Sequence, residues 1–346
     1  FGVAFGNSSF VAVGDTGTIL SSSPVETTFY ATVSTVSVSG TDTDNSPTSY
    51  YFERMTSSGD ALYLSGSTSG GYSTMRPVFS VSLSAGDNGT TAEVTQINPT
   101  VTAASYYNTG TKISLHWFEG FTADGSTVYI ADSNNKLIRK IDLQTTNITT
   151  IAGKLENYAD GTGQTAEFRY LNRMLRIGTD LYVLDDNRIR VVNSNTGEVT
   201  TLQISGDSYS YINRWATDGN DIYFDSHYYS STESGYKLYK MSLTGVVSEM
   251  DLASDDGSHI FNNNIYGLTS DGTDLFAGVY SSGSSIKFYR IALQAGADGS
   301  HMVTPYTTEG EYLSYLNGFE KVGDSLLALY SNKIYEIELS GTSATV

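Results

Sequence analysis

The chain has 346 residues and no cysteine, with 19 basic against 37 acidic side chains and a net charge of -18. An excess of that sign repels phosphate backbones and anionic membranes, no apolar run approaches the roughly 20 residues of a membrane-crossing helix, and without thiols there is no disulfide, thiolate metal site or cysteine nucleophile. With 34 glycines, 5 prolines and no dozen-residue apolar stripe of helical period, the expectation is an all-β chain outside the classes that bind nucleic acid or insert into membranes.

The first element is VAFGNSSFVAVGDTGTILSSS, in which Gly6 introduces the β-rich run beginning at Phe10 and TILSSS reads as a further strand. Thereafter Gly59, Gly125, Gly178, Gly219, Gly272 and Gly323 each stand three residues before runs that begin at Leu62, Val128, Leu181, Ile222, Leu275 and Leu326. Glycine there supplies the positive φ of a tight hairpin turn, and hairpins recurring every 41 to 66 residues match the length of one four-stranded propeller blade. The expectation is a single seven-bladed β-propeller domain over 1–346, with blades near 1–40, 48–100, 115–153, 163–204, 210–253, 263–307 and 311–346. The longest interval places an insertion between Gly70 and Gly110, and six blades remain if residues 1–47 are an N-terminal appendage. Because the first unit starts on an innermost strand, the ring is expected to close by packing, the alternative being a further N-terminal segment that completes the last blade. A chain that begins at Phe1 is expected to be a mature or trimmed product.

The clearest unit, residues 115–153, reads LHWFEGFTADGST, VYIADSNN, LIRKIDLQTT and ITTIAG, four antiparallel strands with turns at Asp124-Gly125 and after Asp132. The next unit repeats it as RYLNRMLRIGTD, LYVLDDN, RIRVVNSNTG and EVTTLQI. Over residues 115–205, VYIADSNNKLIRKIDLQTTNITTIAG and the linker DGTGQTAEF resemble the NHL repeat. The units near Leu62, Ile222, Leu275 and Leu326 keep the turn but lack the terminal ADxxN pattern, and the first unit is more similar to short repeats of other bacterial propellers. The NHL resemblance implies a β-propeller, with family roles that are mostly ligand or partner binding and, in a few members, lyase activity.

Eight residues before each run lies one equivalent position, the head of the innermost strand: Gly2, Arg54, Gly120, Arg173, Arg214, Gly267 and Gly318. NHL repeats commonly carry glycine here, and three units carry arginine instead. The position just before it holds Glu53, Glu119, Asn172, Asn213, Tyr266 and Asn317. In a propeller these side chains crowd the mouth of the central channel, giving a ring of three guanidiniums, two carboxylates and three amides. Guanidiniums pair bidentately with carboxylate or phosphate, so the ring is a candidate site for a small anionic or carbohydrate ligand. The structural alternative is that Glu53 and Glu119 neutralise the arginines in a plug of salt bridges.

Asp15, Asp132, Asp185 and Asp225 recur at the end of the second strand, where turn capping competes with calcium binding. Thr41-Asp42-Thr43-Asp44-Asn45 lacks the later glycine and glutamate of a calcium loop and, like Asp255-Asp256-Gly257, reads as a connector. His116, His227, His259 and His301 have no paired spacing, so a metal site needs them to converge from separate blades. Of the 26 tyrosines, Tyr63, Tyr129, Tyr182 and Tyr223 share one strand position and read as packing between blades, whereas Tyr106, Tyr107, Tyr209, Tyr211, Tyr228, Tyr229, Tyr280, Tyr312 and Tyr315 fall near turns and suit contact with protein or sugar. The resulting expectation is a non-enzymatic extracellular or cell-surface binding or assembly module contacting protein or glycan, with the periplasm a further compartment. No cofactor is expected, calcium apart. The alternatives are a lyase or hydrolase with a site at the channel mouth, and a subunit of an extracellular filament or surface layer in homo- or hetero-assembly.

Overall fold

The computed structural model describes residues 2–6, 9–13, 19–21, 27–35, 37–39, 50–58, 61–68, 78–86, 89–97, 100–101, 120–154, 157–229, 234–254, 263–280, 285–323, 325–330 and 333–343. Within them the hairpin turns form for the local reason their sequence suggests. Gly125, Gly178, Gly219, Gly272 and Gly323 have φ of 83°, 61°, 91°, 89° and 52°, values that a side chain would strain. Where aspartate precedes the glycine, its carboxylate locks the turn. Asp124 accepts the Ser126 and Thr127 N–H groups at 3.1 and 2.9 Å, and Asp218 and Asp271 repeat the arrangement. Tyr129 and Tyr223 donate their hydroxyls to the same aspartates at 2.8 and 3.0 Å, which ties the second strand to the turn that starts it.

Among the described residues these hairpins build six blades. Their innermost strands are Tyr50–Ser58 in blade I, Gly120–Ala123 in II, Leu171–Ile177 in III, Trp215–Thr217 in IV, Ile265–Ser270 in V and Gly318–Val322 in VI, each followed outward by antiparallel neighbours. Every second strand is apolar on both faces, and period-two alternation sends its residues to opposite neighbours. Leu62 and Leu64 pack on blade VI while Tyr63 packs on blade II. Val128 and Ile130 face blade I, and Tyr129 faces blade III. Leu181 and Val183 face II while Tyr182 faces IV, and Ile222 and Phe224 face III while Tyr223 faces V. Leu275 and Ala277 face IV, Phe276 faces VI, and Leu327 and Leu329 return to blade I. Six apolar cores thus lie between consecutive blades and close a ring, each fully buried large side chain contributing roughly 1.5–3 kcal/mol. The four recurrent tyrosines sit in these cores, as their shared register predicts.

Two expectations are corrected. The unit containing Gly6 is not a seventh blade: Gly2–Gly6, Ser9–Val13 and Ile19–Ser21 form a separate three-stranded sheet, which corresponds to the six-bladed alternative. Its hairpin code is local and is equally satisfied in a lone meander, whereas a blade needs an apolar partner on both faces. Nor does the ring close by packing alone. Thr27–Thr35 pairs antiparallel with Lys333–Ser343 as the outermost strand of blade VI, so strands from near both ends of the described chain share one sheet.

The connectors follow one rule. Ser37–Ser39, Thr100–Val101, Gly161–Thr162, Ser205–Gly206 and Leu252–Ser254 each add a short strand to the outer edge of the blade ahead before the chain turns inward. Residues Thr307 to Gly310 do the same against Tyr30 to Val33, which joins the sheets of blades V and VI. Covering the outer edge in this way satisfies backbone groups that would otherwise offer a template for another strand. Between Gly70 and Gly110, where an insertion is expected, the described residues Val78–Gly86 and Gly89–Ile97 are the third and fourth strands of blade I itself; residues 69–77 and 102–119 lie outside the described residues.

Blades II and III each carry a buried ion pair in one register. Arg139, opposite Ile130, donates from Nε to Asp132 at 2.9 Å, and Arg190, opposite Val183, donates to Asp185 at 3.0 Å. Asp185 also accepts the Arg169 and Tyr170 N–H groups at 2.9 and 2.8 Å, pinning the segment that enters the innermost strand. Arg190 also meets a second carboxylate, Asp160, at 2.9 Å, whereas among the described residues Asp132 is the one carboxylate that pairs with Arg139, so removing Asp132 strands a buried guanidinium. Asp132→Ala is therefore expected to cost about 3–5 kcal/mol in urea denaturation, and a loss below about 1 kcal/mol would contradict this assignment.

Candidate functional site

The innermost strands of all six blades surround one cavity of about 350 Å³ along the ring axis. Its lining includes Arg54, Gly120, Arg173, Arg214, Gly267 and Gly318, so the head position found by register counting does converge. Glycine and arginine there answer to different neighbours. A Cβ on Gly120 would run into the carbonyl oxygen of Asn172, on Gly267 it would lie 2.5 Å from Phe319 Cβ, and on Gly318 2.6 Å from Met55 Cβ. In the other three blades Arg54, Arg173 and Arg214 stand at this position and line the channel.

Of the residues preceding the heads, Tyr266 and Asn317 line the cavity, whereas Glu53, Asn172 and Asn213 are not among its lining. The Glu53 carbonyl accepts Arg54 Nη1 at 2.9 Å, and Glu119 lies outside the described residues. Asn213 turns toward Asp225, donating Nδ2 to its carboxylate at 2.9 Å, while the Arg214 N–H donates to the other oxygen at 2.7 Å. The Arg214 guanidinium is held by uncharged oxygens: Nε donates to the Tyr266 carbonyl at 2.9 Å and Nη1 to Asn213 Oδ1 at 3.2 Å. Burial lowers its pKa, and Arg54 alongside lowers it further against the pull of Asp225. Burial pushes the Asp225 carboxyl up to about 6, although the Asn213 and Arg214 hydrogen bonds and the charges of Arg214 and Arg173 oppose that shift.

Two lining groups escaped the sequence reading. Glu320 stands two residues past the head in blade VI, where the other blades have Thr56, Thr122, Leu175, Ala216 and Thr269. Glu320 is half-buried and faces the cavity, and burial pushes its carboxyl up to about 8 against the Ser57 hydroxyl, which donates to it at 3.1 Å. Arg176 stands three residues past Arg173, about 10 Å further along the strand, and meets Asp124 at 3.5 Å. Glu320 departs from an otherwise uncharged register and Arg176 from one that is small in every other blade but VI, which has Lys321, and extending the count beyond the heads would have found them. Among the described lining residues there are four arginines and one carboxyl, Glu320, in a chain of net charge -18.

The other candidates disperse. Asp132, Asp185 and Asp225 point their oxygens at N–H donors of Asn135 and Arg139, of Arg169, Tyr170 and Arg190, and of Asn213 and Arg214. Asp15, the segments 41–45 and 255–257, His116, His259, Tyr106 and Tyr107 lie outside the described residues. His227 packs edge-on to Tyr236 in blade IV and His301 bonds the Ala292 carbonyl in blade V, so the two sit in different sheets. Among the described residues no three His, Asp or Glu side chains converge as a metal site, and no helix is long and apolar enough to cross a membrane. Tyr209 is drawn into the core between blades III and IV, 4.9 Å from the Phe224 ring, while Tyr211, Tyr312 and Tyr315 remain exposed.

No protein-family model and no curated protein matches the chain, so the NHL likeness of residues 115–205 stays a resemblance. Solved structures similar to it include the nidogen/laminin complex, at 15% identity and a TM-score of 0.46 over 73% of this chain and 82% of that one. The extracellular domain assigned to a hybrid two component system of B. thetaiotaomicron is similar at 11% identity and a TM-score of 0.45, over 89% of this chain and 40% of that one. A GH74 xyloglucanase from Xanthomonas campestris is similar at 12% and 0.47, over 82% and 44%. The chain thus spans less than half the length of the last two. The six interblade cores, and not this likeness, define the ring.

Glu320 gives the channel a pH signature. Its folded value of about 8 lies above the ordinary 4.5, so the stability linked to its protonated form is complete below the unfolded value and is lost as pH rises through about 8. Asp225 has the same sign, but its folded value of about 6 confines most of its loss to lower pH. Denaturant midpoints at about pH 7 and about pH 9 are therefore expected to fall in the native protein and to fall less in Glu320→Gln. An equal or steeper fall in the variant would contradict the assignment.

Proposed function

We propose that the chain is a non-enzymatic binding module of the extracellular or cell-surface space that takes an anionic group of a protein or glycan ligand into the channel mouth. The observation that carries this reading is the sign of the cavity: four arginines against one carboxyl among its described lining, inside a strongly acidic protein. At neutral pH Glu320 is largely protonated, so it offsets little of that charge. Low-dielectric walls focus the resulting field into the bore, and the Arg214 guanidinium, which among the described residues bonds the uncharged oxygens of Tyr266 and Asn213, suits a carboxylate.

Citrate serves as a probe. At low ionic strength it is expected to raise the melting midpoint of the native protein, the increase shrinking as salt is added and falling about tenfold in citrate affinity on Arg214→Gln. Equal shifts in the two proteins, measured by calorimetry, would remove the channel mouth as the site.

One observation favours an enzymatic reading. A carboxyl titrating near 8 beside Ser57 in a cationic cavity has the environment of a general acid. Hydrolysis or elimination on chromogenic uronides, present in the native protein and lost by about a hundredfold in Glu320→Gln, would establish that reading; no turnover in either protein leaves the binding module standing.

A further inference from the structure

The segments that lead into the innermost strands carry a second regularity. Three residues before the head stand Tyr170 in blade III, Tyr211 in blade IV and Tyr315 in blade VI, and all three are among the most exposed large side chains, at 53%, 49% and 41%. Their spacing from Arg173, Arg214 and Gly318 is identical, and three extended residues span about 10 Å, so each ring stands at most that length of backbone from the cavity lining.

These tyrosines are anchored. The Tyr170 N–H donates to Asp185 at 2.8 Å and its carbonyl accepts from Asp186 at 2.8 Å. The Tyr211 N–H donates to Ser226 Oγ at 3.1 Å, and the Tyr315 ring packs edge-on to Tyr330 at 4.7 Å. Backbone held in this way leaves Tyr170 and Tyr211 with two torsions each to fix on binding, and the Tyr315 ring is already packed, so contact costs little conformational entropy.

A protein interface concentrates its apolar anchors in a dry centre and keeps its charges at the rim. This face has the reverse order, with separate aromatic rings outside and a cationic cavity floored by hydroxyls inside. That arrangement fits a ligand with flat apolar faces, many hydroxyls and an acidic group. We infer that the channel mouth binds an acidic oligosaccharide, whose carboxylate or sulfate enters among the arginines while neighbouring sugar rings lie on Tyr170, Tyr211 and Tyr315. The inference rests on the anion-binding reading above and narrows its ligand to glycan.

The test is retention on an immobilised panel of uronate-bearing and sulfated oligosaccharides with their neutral counterparts, followed by calorimetry on the best-retained acidic sugar. Acidic members are expected to be retained and neutral ones not, with uronates and sulfated sugars telling the two acids apart. The double variant Tyr170→Ala, Tyr211→Ala, checked for native circular dichroism, is expected to lose about tenfold or more in affinity. Arg214→Gln is expected to weaken both the sugar and citrate by about tenfold. If the native protein binds citrate but retains no acidic sugar, the glycan inference fails and the anion reading stands; if it binds neither, both fail. Affinity within about twofold of native in the double variant would overturn the tyrosine contacts, and equal retention of neutral sugars would overturn the role of the charge.

Discussion

Burial on both faces of the second strands is the constraint from which the rest of this molecule follows. A sheet with one apolar face is satisfied by a single partner, but a run such as Leu62-Tyr63-Leu64, buried throughout, must be covered from two sides. Twisted sheets that each require two neighbours have no free end until the last meets the first, and the contact of Leu327 and Leu329 with Leu62 and Leu64 is where that happens. An axial cavity is what remains at the centre. Its lining is drawn from the innermost strands because they are the parts of the blades that converge there.

The channel shows how one backbone position can serve packing in some blades and chemistry in others. Gly120, Gly267 and Gly318 are required by the close approach of the following blade, and Arg54, Arg173 and Arg214 occupy the corresponding places in the other three. Burying guanidiniums together in this way has a cost: desolvation first, and then the charge of Arg54, lower the pKa of Arg214. The nearby Asp225 relieves part of it and at the same time fastens the strand entry through the Arg214 N–H. Glu320 works in the other direction: desolvated to a value of about 8, it is mostly uncharged at neutral pH and leaves the bore positive. In the proposed binding role, an acidic exterior around a cationic cavity disfavours anions at a distance and admits them where the arginines converge, a distribution suited to selecting ligands by shape as well as charge.

Particular residues show how far the site was legible. The convergence of Arg54, Arg173, Arg214, Tyr266 and Asn317 followed from register counting, because the distance from hairpin turn to strand head is set locally and is the same in every blade. Counting also put Asn213 at the mouth, but its side chain turns to Asp225, a choice made by a hydrogen bond between two strands. Glu320 was readable as the one charged residue of its register and Arg176 as one of two, with Lys321, yet nothing in the chain itself revealed that Glu320 would be desolvated. Tyr209 and Tyr211, two residues apart, part company: one enters the core between blades and the other stays exposed.

Short-range chemistry was determined by the sequence alone: glycines at positive φ, aspartates that cap the turns, strands apolar on both faces, and the net acidity. Tertiary structure decided the number of blades, the closure and the sign of the cavity. The hairpin signal around Gly6 is the same as that of a true blade, and only the meeting of blades VI and I leaves it outside the ring. Likewise, nothing in Thr27–Thr35 read alone says that it will pair with Lys333–Ser343. The physical reason is range: turn geometry and strand alternation act within a few residues, whereas ring closure and desolvation depend on which surfaces meet across the whole chain.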